Sequence, residues 1–271
     1  MQSEKNTFLL GFSDIDNAYS PEQYINCLKA INEDYQTVLE RKKVLSLLSL
    51  KHGDNLLDVG CGTGGELNTF VSETNSTCRY TGIDKSLSLI ESAKKNYAND
   101  SINFEVMDAH QLRFVDESFD AAKSERCFSY LENPNLALSE MKRVTKRGGK
   151  VLIHDNDWEN FIIASNFPDV SKMVKHHYFN FVKNGDMGRQ LYRLFKLVGM
   201  SNIIVEFTPY YYTDYHSFST TFHLESILID AIESDLLPKN MIAEWIDDLK
   251  RSNESGEFFA YGTGIIVYGN A

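Results

Sequence analysis

A glycine-rich run at residues 56–66, Leu-Leu-Asp-Val-Gly-Cys-Gly-Thr-Gly-Gly-Glu, constrains the fold of this chain more than any other segment. Its first four residues are apolar apart from Asp58, which is typical of a buried parallel strand that ends in a functional group. The glycines at 60, 62 and 64 then predict a turn in which no Cβ keeps the backbone away from a ligand. Because a helix can begin directly afterwards, the run predicts the first unit of a nucleotide-binding α/β sheet.

Two acidic residues end the next two predicted strands. Asp84 stands twenty residues after Gly64, the distance at which an acidic residue meets a ribose in such sheets, although it could also be a solvated strand end. Asp108 follows a strand that begins near residue 102, and it can accept a hydrogen bond from an exocyclic adenine amine or cap a following helix. The neighbouring Met107 offers an apolar face to an adenine ring.

These segments resemble the class I S-adenosylmethionine-dependent methyltransferases. The matching motifs are LLDVGCGTGGE at 56–66, TGID at 81–84 and VMDAHQLRF at 106–114. The block at 118–158 looks like the small-molecule branch related to ubiquinone/menaquinone biosynthesis methyltransferases, and the resemblance covers about residues 20–271. It implies S-adenosylmethionine as cofactor, S-adenosylhomocysteine as product, and O-, N- or C-methylation of a small, aromatic or apolar metabolite.

The resemblance also implies positions around the cofactor. Asp58 and the backbone of residues 60–64 would hold the methionine end, Asp84 the ribose hydroxyls, and the Ser124 backbone would lie near the amino group. Residues 107–109 would frame the adenine. The implied cofactor-binding set is Asp58, Gly60, Cys61, Gly62, Gly64, Asp84, Lys85, Met107, Asp108, Ala109 and Ser124.

A general base would help only if the methylated atom is a hydroxyl oxygen. Tyr130, Asp155 and Asp157 are the candidates for catalytic residues, whereas His154 lies inside a predicted strand and suits the core. Tyr130 stands where this branch of methyltransferases often has histidine. The ordinary pKa of a tyrosine, about 10, makes it a poor base at neutral pH. Arg126 either faces the site or braces the turn.

Two other functions fit the glycine turn. Gly60, Gly62 and Gly65 also satisfy the dinucleotide pattern of an NAD-binding oxidoreductase. However, Asp58 and Glu66 flank the turn, and acidic groups repel a pyrophosphate but suit a sulfonium with an ammonium group. A protein of the same fold that uses S-adenosylmethionine structurally, or that catalyses a cyclisation or rearrangement, is the third possibility.

The composition of this 271-residue chain indicates which classes of molecule it could bind and in which compartment it works. Its net charge of −11 and pI near 5.1 argue against nucleic acid as a substrate, because nucleic-acid binding normally depends on a basic surface. No apolar run reaches the length of a membrane span, and no signal-peptide pattern opens the chain, so we expect a cytoplasmic enzyme.

The four cysteines lack a C-x-x-C pair, and the adjacent His176 and His177 would point apart on a helix, so no metal site is predicted. We expect a monomer or a homodimer.

Alternating strand and helix patterns predict a Rossmann-like, doubly wound α/β fold with a seven-stranded, mostly parallel sheet, an antiparallel last strand and a helical cap. The first twenty residues are polar and are expected to be mobile. The division is an N-terminal helical segment at 1–50, a cofactor-binding core at 51–157, cap insertions at 158–187 and 209–255, a core helix and strand at 188–208, and a final core strand at 256–271.

Aromatic residues crowd the second cap insertion, where they could line an apolar substrate pocket. The residues predicted to do so are Tyr211, Tyr215, His216 and Phe218. Ordinary packing of the cap onto the core is the alternative for each of them.

Overall fold

The computed structural model describes residues 11–18, 20–74, 77–233 and 237–271. The strands are β1 (Asn55–Val59), β2 (Arg79–Asp84), β3 (Ile102–Val106), β4 (Phe119–Glu125), β5 (Thr145–Asn156), β6 (Ile162–Ile163), β7 (Ser201–Tyr212) and β8 (Ala260–Asn270). The helices are α1 (Pro21–Glu33), α2 (Tyr35–Leu48), α3 (Gly65–Glu73), α4 (Leu87–Tyr97), α5 (Pro134–Val144), α6 (Pro168–Phe181), α7 (Met187–Val198), α8 (Tyr215–Thr221), α9 (Leu224–Glu233) and α10 (Lys239–Glu254). Of the segment expected to be mobile, residues 1–10 and 19 lie outside the described residues, and Ile15–Asn17 form a 3-10 helix.

The strands form one mixed sheet. Strands β3, β2, β1, β4 and β5 are parallel neighbours in that order, and β8 pairs antiparallel with β5. The long strand β7 occupies the other edge of β8, while the two-residue strand β6 pairs with β8 beyond the point where β5 ends. The predicted fold class is therefore confirmed, with β6 as an addition. This order leaves the carboxyl ends of β1 and β4 side by side at the switch point, where open α/β sheets bind ligands.

Helices cover both faces of the sheet, which explains why its strands are apolar at consecutive positions. Leu57 of β1 packs into a cluster with α5 and α7, whereas its neighbour Leu56 packs into a cluster with α2, α3 and α4. Val151 and Leu152 of β5 divide between the same two clusters. The alternation of side chains along a strand thus distributes adjacent apolar residues to opposite layers.

A further hydrophobic cluster lies beyond the carboxyl ends of the parallel strands. It joins α6, α8, α9 and α10 to the last residues of β7 and the first residues of β8, and Trp245 is completely buried within it. Strand β7 extends to Tyr212, four residues further than the predicted strand at 202–208. These added residues carry the aromatic side chains from the sheet into this cluster.

Two features are absent from the described residues. No helix in this part of the chain has both the length and the apolar character needed to cross a membrane. Within the same residues, no group of histidine, cysteine and acidic side chains is arranged to hold a metal ion.

Candidate active site

The turn after β1 is built on three glycines with positive φ, namely Gly60 at 79°, Gly62 at 55° and Gly64 at 76°. L-residues rarely adopt this region, and a Cβ at Gly60 would lie 2.5 Å from the Sγ of Cys127. The amides of Gly60 and Cys61 donate to the Ile83 carbonyl at 2.8 and 2.9 Å. The turn is therefore fixed against β2 and leaves its open side toward the carboxyl end of the sheet.

Asp84 connects this turn to the start of α4. Its Oδ2 accepts from the Gly62 amide at 3.1 Å, and its Oδ1 accepts from the Ser86 amide at 3.0 Å. Burial raises the pKa of Asp84, although both amide bonds act in the opposite direction. Each carboxylate oxygen retains a further lone pair, so Asp84 can accept two more hydrogen bonds from a ligand.

The end of β3 offers an apolar wall and an acidic tip. Met107 is buried, and its sulfur accepts from the Arg113 amide at 3.3 Å. The Asp108 Oδ1 accepts from the His110 amide at 2.8 Å and lies 2.6 Å from the His110 Nδ1. Burial raises the pKa of Asp108, but these contacts with His110 outweigh it and lower the pKa overall. Asp108 therefore stays ionised as an acceptor.

A buried charge cluster lies directly beneath the glycine turn. The Lys123 ammonium is 3.1 Å from Asp58, 2.9 Å from Glu66 and 3.2 Å from Glu125. Burial lowers the pKa of Lys123, yet the three carboxylates outweigh this and raise it, so the ammonium is retained. Burial and the nearby Glu125 raise the pKa of Glu66 well above its ordinary value. Three acidic side chains thus surround one ammonium, and the raised pKa of Glu66 favours its protonated form.

A cavity of about 270 Å³ opens above this cluster. Most of the predicted cofactor-binding residues line it, namely Gly60, Cys61, Gly62, Asp84, Lys85, Met107, Asp108 and Ala109. The structure places Asp58, Gly64 and Ser124 behind this lining: Asp58 pairs with Lys123, Gly64 is the N-cap residue directly before α3, and the Ser124 hydroxyl donates to the Val59 carbonyl. Glu66 and Glu125, which were not among the predicted site residues, line the cavity instead.

A second cavity of about 150 Å³ adjoins the first. Both cavities are lined by Phe12, Leu28, Arg126 and Tyr130, so these four residues form the boundary between them. Beyond them, the second cavity reaches α1, α2, the end of β5, the end of β7 and the turn after α8. It contains aromatic side chains of Trp158, Tyr210, Tyr212 and Phe222 and the carboxylates of Asp34, Glu40 and Asp155.

Arg126 and Tyr130 stand at the boundary between the cavities. The Arg126 backbone is left-handed, with φ at 50°, and its amide donates to the His154 carbonyl at 2.8 Å. Its Nη1 lies 3.3 Å from the Glu40 carboxylate. Burial raises the pKa of Tyr130 well above its ordinary value, so its hydroxyl keeps the proton and is a poor base at neutral pH.

The two aspartates predicted near the end of β5 have different surroundings. Asp155 lines the second cavity and accepts from the Ser129 amide at 3.0 Å and from the Ser129 hydroxyl at 2.5 Å. Burial raises its pKa, and the bonds from Ser129 act in the opposite direction. Asp157 lines neither cavity, because Arg189 binds both of its oxygens at 2.5 and 2.6 Å.

None of the four residues predicted for a substrate pocket lines either cavity. Tyr211 is 55% exposed and His216 is exposed, while Tyr215 and Phe218 pack inside the cluster beyond the sheet. Tyr210 and Tyr212 face the second cavity instead. The period of two along β7 explains the difference, because alternate side chains of a strand point to opposite faces.

His223 is a cavity residue that the sequence patterns did not indicate. It follows α8 with φ at 49°, and its Nε2 lies 2.6 Å from the Sγ of Cys27 in α1. Burial raises the pKa of Cys27 to about 12, so the thiol is retained. Burial also lowers the pKa of His223 and favours a neutral imidazole. This contact links α1 to the turn between α8 and α9.

Known proteins share the segment that builds the first cavity. A family model described as a methyltransferase domain matches residues 50–199. An uncharacterized 37.1 kDa protein in transposon TN4556 of Streptomyces fradiae is 30% identical over 232 residues, which are 84% of this chain and 66% of that protein. The ubiquinone/menaquinone biosynthesis C-methyltransferase UbiE of Bdellovibrio bacteriovorus is 36% identical over 42% of this chain and 49% of its own length. The chain thus spans about half to two thirds of these relatives.

Solved structures share the fold at low sequence identity. The Haemonchus contortus phosphoethanolamine N-methyltransferase 2, in complex with phosphomonomethylethanolamine and S-adenosylhomocysteine, superposes with a TM-score of 0.60 and 19% identity, over 96% of this chain and 60% of that one. The [4+2]-cyclase SpnF superposes with a TM-score of 0.55 and 19% identity, over 86% of this chain and 80% of its own. Since the family model covers more than half of the residues, including the glycine turn, Asp84 and Asp108, this chain belongs to the methyltransferase-domain family.

Proposed function

We propose that the chain is an S-adenosylmethionine-dependent methyltransferase that acts on a small molecule. The observation that carries the proposal is the adjacency of two cavities at the carboxyl ends of the strands. The first holds the residues that suit the cofactor, and the second has room for a separate acceptor. Their common boundary at Arg126 and Tyr130 is where a methyl group would pass from one to the other.

The first cavity suits each part of S-adenosylmethionine. Asp84 would accept from the ribose hydroxyls, and Met107 and Asp108 would meet the adenine ring and its amine. Glu66 and Glu125 are the acidic side chains of the buried charge cluster that line the cavity. Burial raises the pKa of Glu125, but its contact with Lys123 outweighs burial and lowers the pKa, so that Glu125 stays ionised and would attract the ammonium and the sulfonium. When bound, the cofactor supplies an electrophilic methyl group on a sulfonium.

The protein's own contribution would be placement. An in-line displacement depends chiefly on holding the acceptor atom, the methyl carbon and the sulfur in line. The glycine turn is fixed to β2 by two amide bonds, and Arg126 is fixed to β5 by its own amide. The glycine turn and Arg126 are therefore both attached to strands of one sheet, which limits their relative motion.

The second candidate function is a cyclisation or rearrangement, without methyl transfer, on the same fold. The structural similarity to the [4+2]-cyclase SpnF supports this alternative. The pocket for a second molecule fits either reaction. Product mass separates them, because only methyl transfer adds a methyl group to the acceptor.

Calorimetric titration of the whole chain with S-adenosylmethionine, S-adenosylhomocysteine and NAD tests the cofactor. We expect micromolar binding of the first two and no signal with NAD. An NAD signal without binding of either sulfur nucleotide would contradict the proposal and return the glycine turn to the dinucleotide interpretation.

Three further expectations remain predictions. We propose that the helices of the cluster beyond the sheet act as a cap over the second cavity, at 158–187 and 209–255. We also propose that the chain works in the cytoplasm as a monomer or homodimer. Analytical ultracentrifugation at micromolar concentration gives the oligomeric state directly, and a larger assembly would contradict the prediction.

A further inference from the structure

The second cavity has an aromatic wall built around one ring. The Phe222 ring centre lies 6.3 Å from that of Trp158, 5.9 Å from that of Tyr210 and 5.7 Å from that of Tyr212. The planes of Trp158 and Tyr212 stand at 85° and 90° to that of Phe222. Because the rings differ in orientation, the wall combines ring faces with ring edges. Aromatic faces carry negative partial charge and attract cations.

The charged residues around the same cavity are mostly acidic. Asp34, Glu40 and Asp155 line it, against the single guanidinium of Arg126, which is already paired with Glu40 at 3.3 Å. Asp34 accepts from the Thr37 amide at 3.0 Å and Asp155 accepts from Ser129, but neither has an ion-pair partner among the described contacts of the cavity. The remaining negative charge favours a cation and raises the free energy of an anion placed there.

We infer that the acceptor bound in this cavity is an amine on an apolar body and that the methylated atom is its nitrogen, an inference that rests on the function proposed above. The apolar body would lie against Trp158 and Phe222, and the nitrogen would point toward the boundary formed by Arg126 and Tyr130. The rings of Tyr210 and Tyr212 and the three carboxylates of the cavity would surround the positive charge of the amine.

The direction of charge movement agrees with this choice. The ammonium proton of the amine passes to solvent before attack, and the nitrogen lone pair then forms the bond to the methyl carbon. The carbon–sulfur bond breaks, its electron pair stays on sulfur, and the positive charge moves to nitrogen. Ring faces and carboxylates stabilise a charge that develops in their midst. A hydroxyl acceptor would instead have to lose its proton before or during attack, and the three neighbouring carboxylates raise the free energy of the oxyanion that this produces.

Three probes with one skeleton test the inference on the unmodified chain. The protein is first titrated with S-adenosylhomocysteine and then, when saturated, with 2-phenylethylamine, 2-phenylethanol or phenylacetate. We expect the amine to bind about 2- to 30-fold more tightly than the alcohol, the range that cation–π contacts give, and phenylacetate to bind most weakly. In parallel, S-adenosylmethionine should methylate the amine and leave the alcohol unchanged in mass.

The two proposals fail separately. No binding of S-adenosylhomocysteine contradicts the proposed function, whatever the probes do. Binding of S-adenosylhomocysteine, together with no probe binding or with the alcohol or phenylacetate as tight as the amine, overturns the amine inference alone.

Adjacent tyrosines of β7 supply a matched pair of variants. Tyr212→Leu removes a ring from the cavity and should weaken the amine about 2- to 30-fold while changing the alcohol less. Tyr211→Leu should change neither, because Tyr211 is 55% exposed and does not line the cavity. Tyr212→Phe keeps the ring face and should retain the amine affinity within about twofold. Equal losses of amine and alcohol in Tyr212→Leu would mean that the ring supplies shape alone, which contradicts the inference.

Discussion

Asp58 of β1 and Lys123 of β4 are directly paired in the sheet, and their side chains form a buried ion pair of 3.1 Å. The register of two parallel strands therefore produces the contact. Glu66, in the first turn of α3, brings its Oε1 to 2.9 Å from the Lys123 Nζ. Lys123 is completely buried and lies 5.3 Å from the centre of the Phe70 ring. One lysine thus connects β1, β4 and α3 beneath the first cavity.

Removing this lysine should be strongly destabilising. Lys123→Met leaves three buried acidic side chains without their cation, and we expect the free energy of unfolding to fall by about 3–5 kcal/mol. Chemical denaturation monitored by circular dichroism measures it. The surface pair between Lys43 and Glu206, at 3.2 Å, offers the control. Lys43→Met should cost no more than about 1 kcal/mol, and equal losses in the two variants would contradict the importance of the buried cluster.

Alanine substitutions at two glycines with similar φ distinguish the effect of backbone strain from that of steric crowding around a Cβ. Gly53 and Gly60 have φ of 88° and 79°, but a Cβ at Gly53 would meet no atom within 4 Å, whereas one at Gly60 would lie 2.5 Å from the Cys127 sulfur. Gly53→Ala should cost about 1 kcal/mol of stability from backbone strain alone and leave S-adenosylhomocysteine affinity unchanged. Gly60→Ala should cost more and weaken that affinity at least tenfold. Identical behaviour of the two variants would remove the argument for a tightly fitted turn.

Asp84→Ala should weaken the binding of S-adenosylhomocysteine about 5- to 150-fold, as expected for losing hydrogen bonds to a charged acceptor worth about 1–3 kcal/mol. Calorimetry measures the affinity, and thermal unfolding checks that the turn survives. Asp120→Ala is the matched control, because Asp120 also accepts a backbone amide, from Asn55 at 2.9 Å, but lines neither cavity. An unchanged affinity in Asp84→Ala would exclude a contact with the ribose.

Asp16 supplies a prediction about pH. It accepts from the Ser86 hydroxyl at 2.7 Å and from the amides of Leu87 and Ser88 at 2.7 and 3.0 Å, at the start of α4. Burial raises its pKa, but these bonds outweigh burial and lower the pKa below 3.8. A carboxylate with a depressed pKa stabilises the fold above its unfolded pKa, and this contribution disappears as the pH falls through the folded pKa.

Asp16→Asn should therefore lower the melting temperature by about 1–3 °C at pH 7. The difference from the unmodified chain should shrink as the pH falls from 3.8 through the lower pKa of the folded state. Scanning calorimetry between pH 7 and pH 3 measures it. Asp14→Asn serves as control, because Asp14 accepts only from the exposed side chain of Asn17 among the contacts described for its carboxylate. A difference that stays undiminished at the lowest pH would contradict the role of the charge.

The glycine turn and the two strand-end aspartates could be predicted because local patterns specify them. The second cavity could not, since it joins residues of α1, α2, β5 and β7 that are far apart in the sequence. Two signals were nevertheless available. Lys123 directly follows the apolar pair Ala121 and Ala122 within β4, which suggests a buried partner for its ammonium. Strand alternation separates Tyr211 from Tyr210 and Tyr212 once β7 is extended to that point. The Cys27–His223 contact has no comparable local pattern.

Continuous pairing of β7 with β8, from Thr208–Gly264 to Tyr212–Ala260, runs from the sheet into the cluster beyond it. A hinge between the sheet and that cluster would have to break paired strands. The segment at 11–18 and α1 are attached differently, through side chains such as Ile15, Tyr24 and Leu89 and through the Asp16 carboxylate. Small molecules should therefore enter and leave beside α1. Movement of α1 would open the cavities, while the hydrophobic cluster beyond the sheet keeps its position.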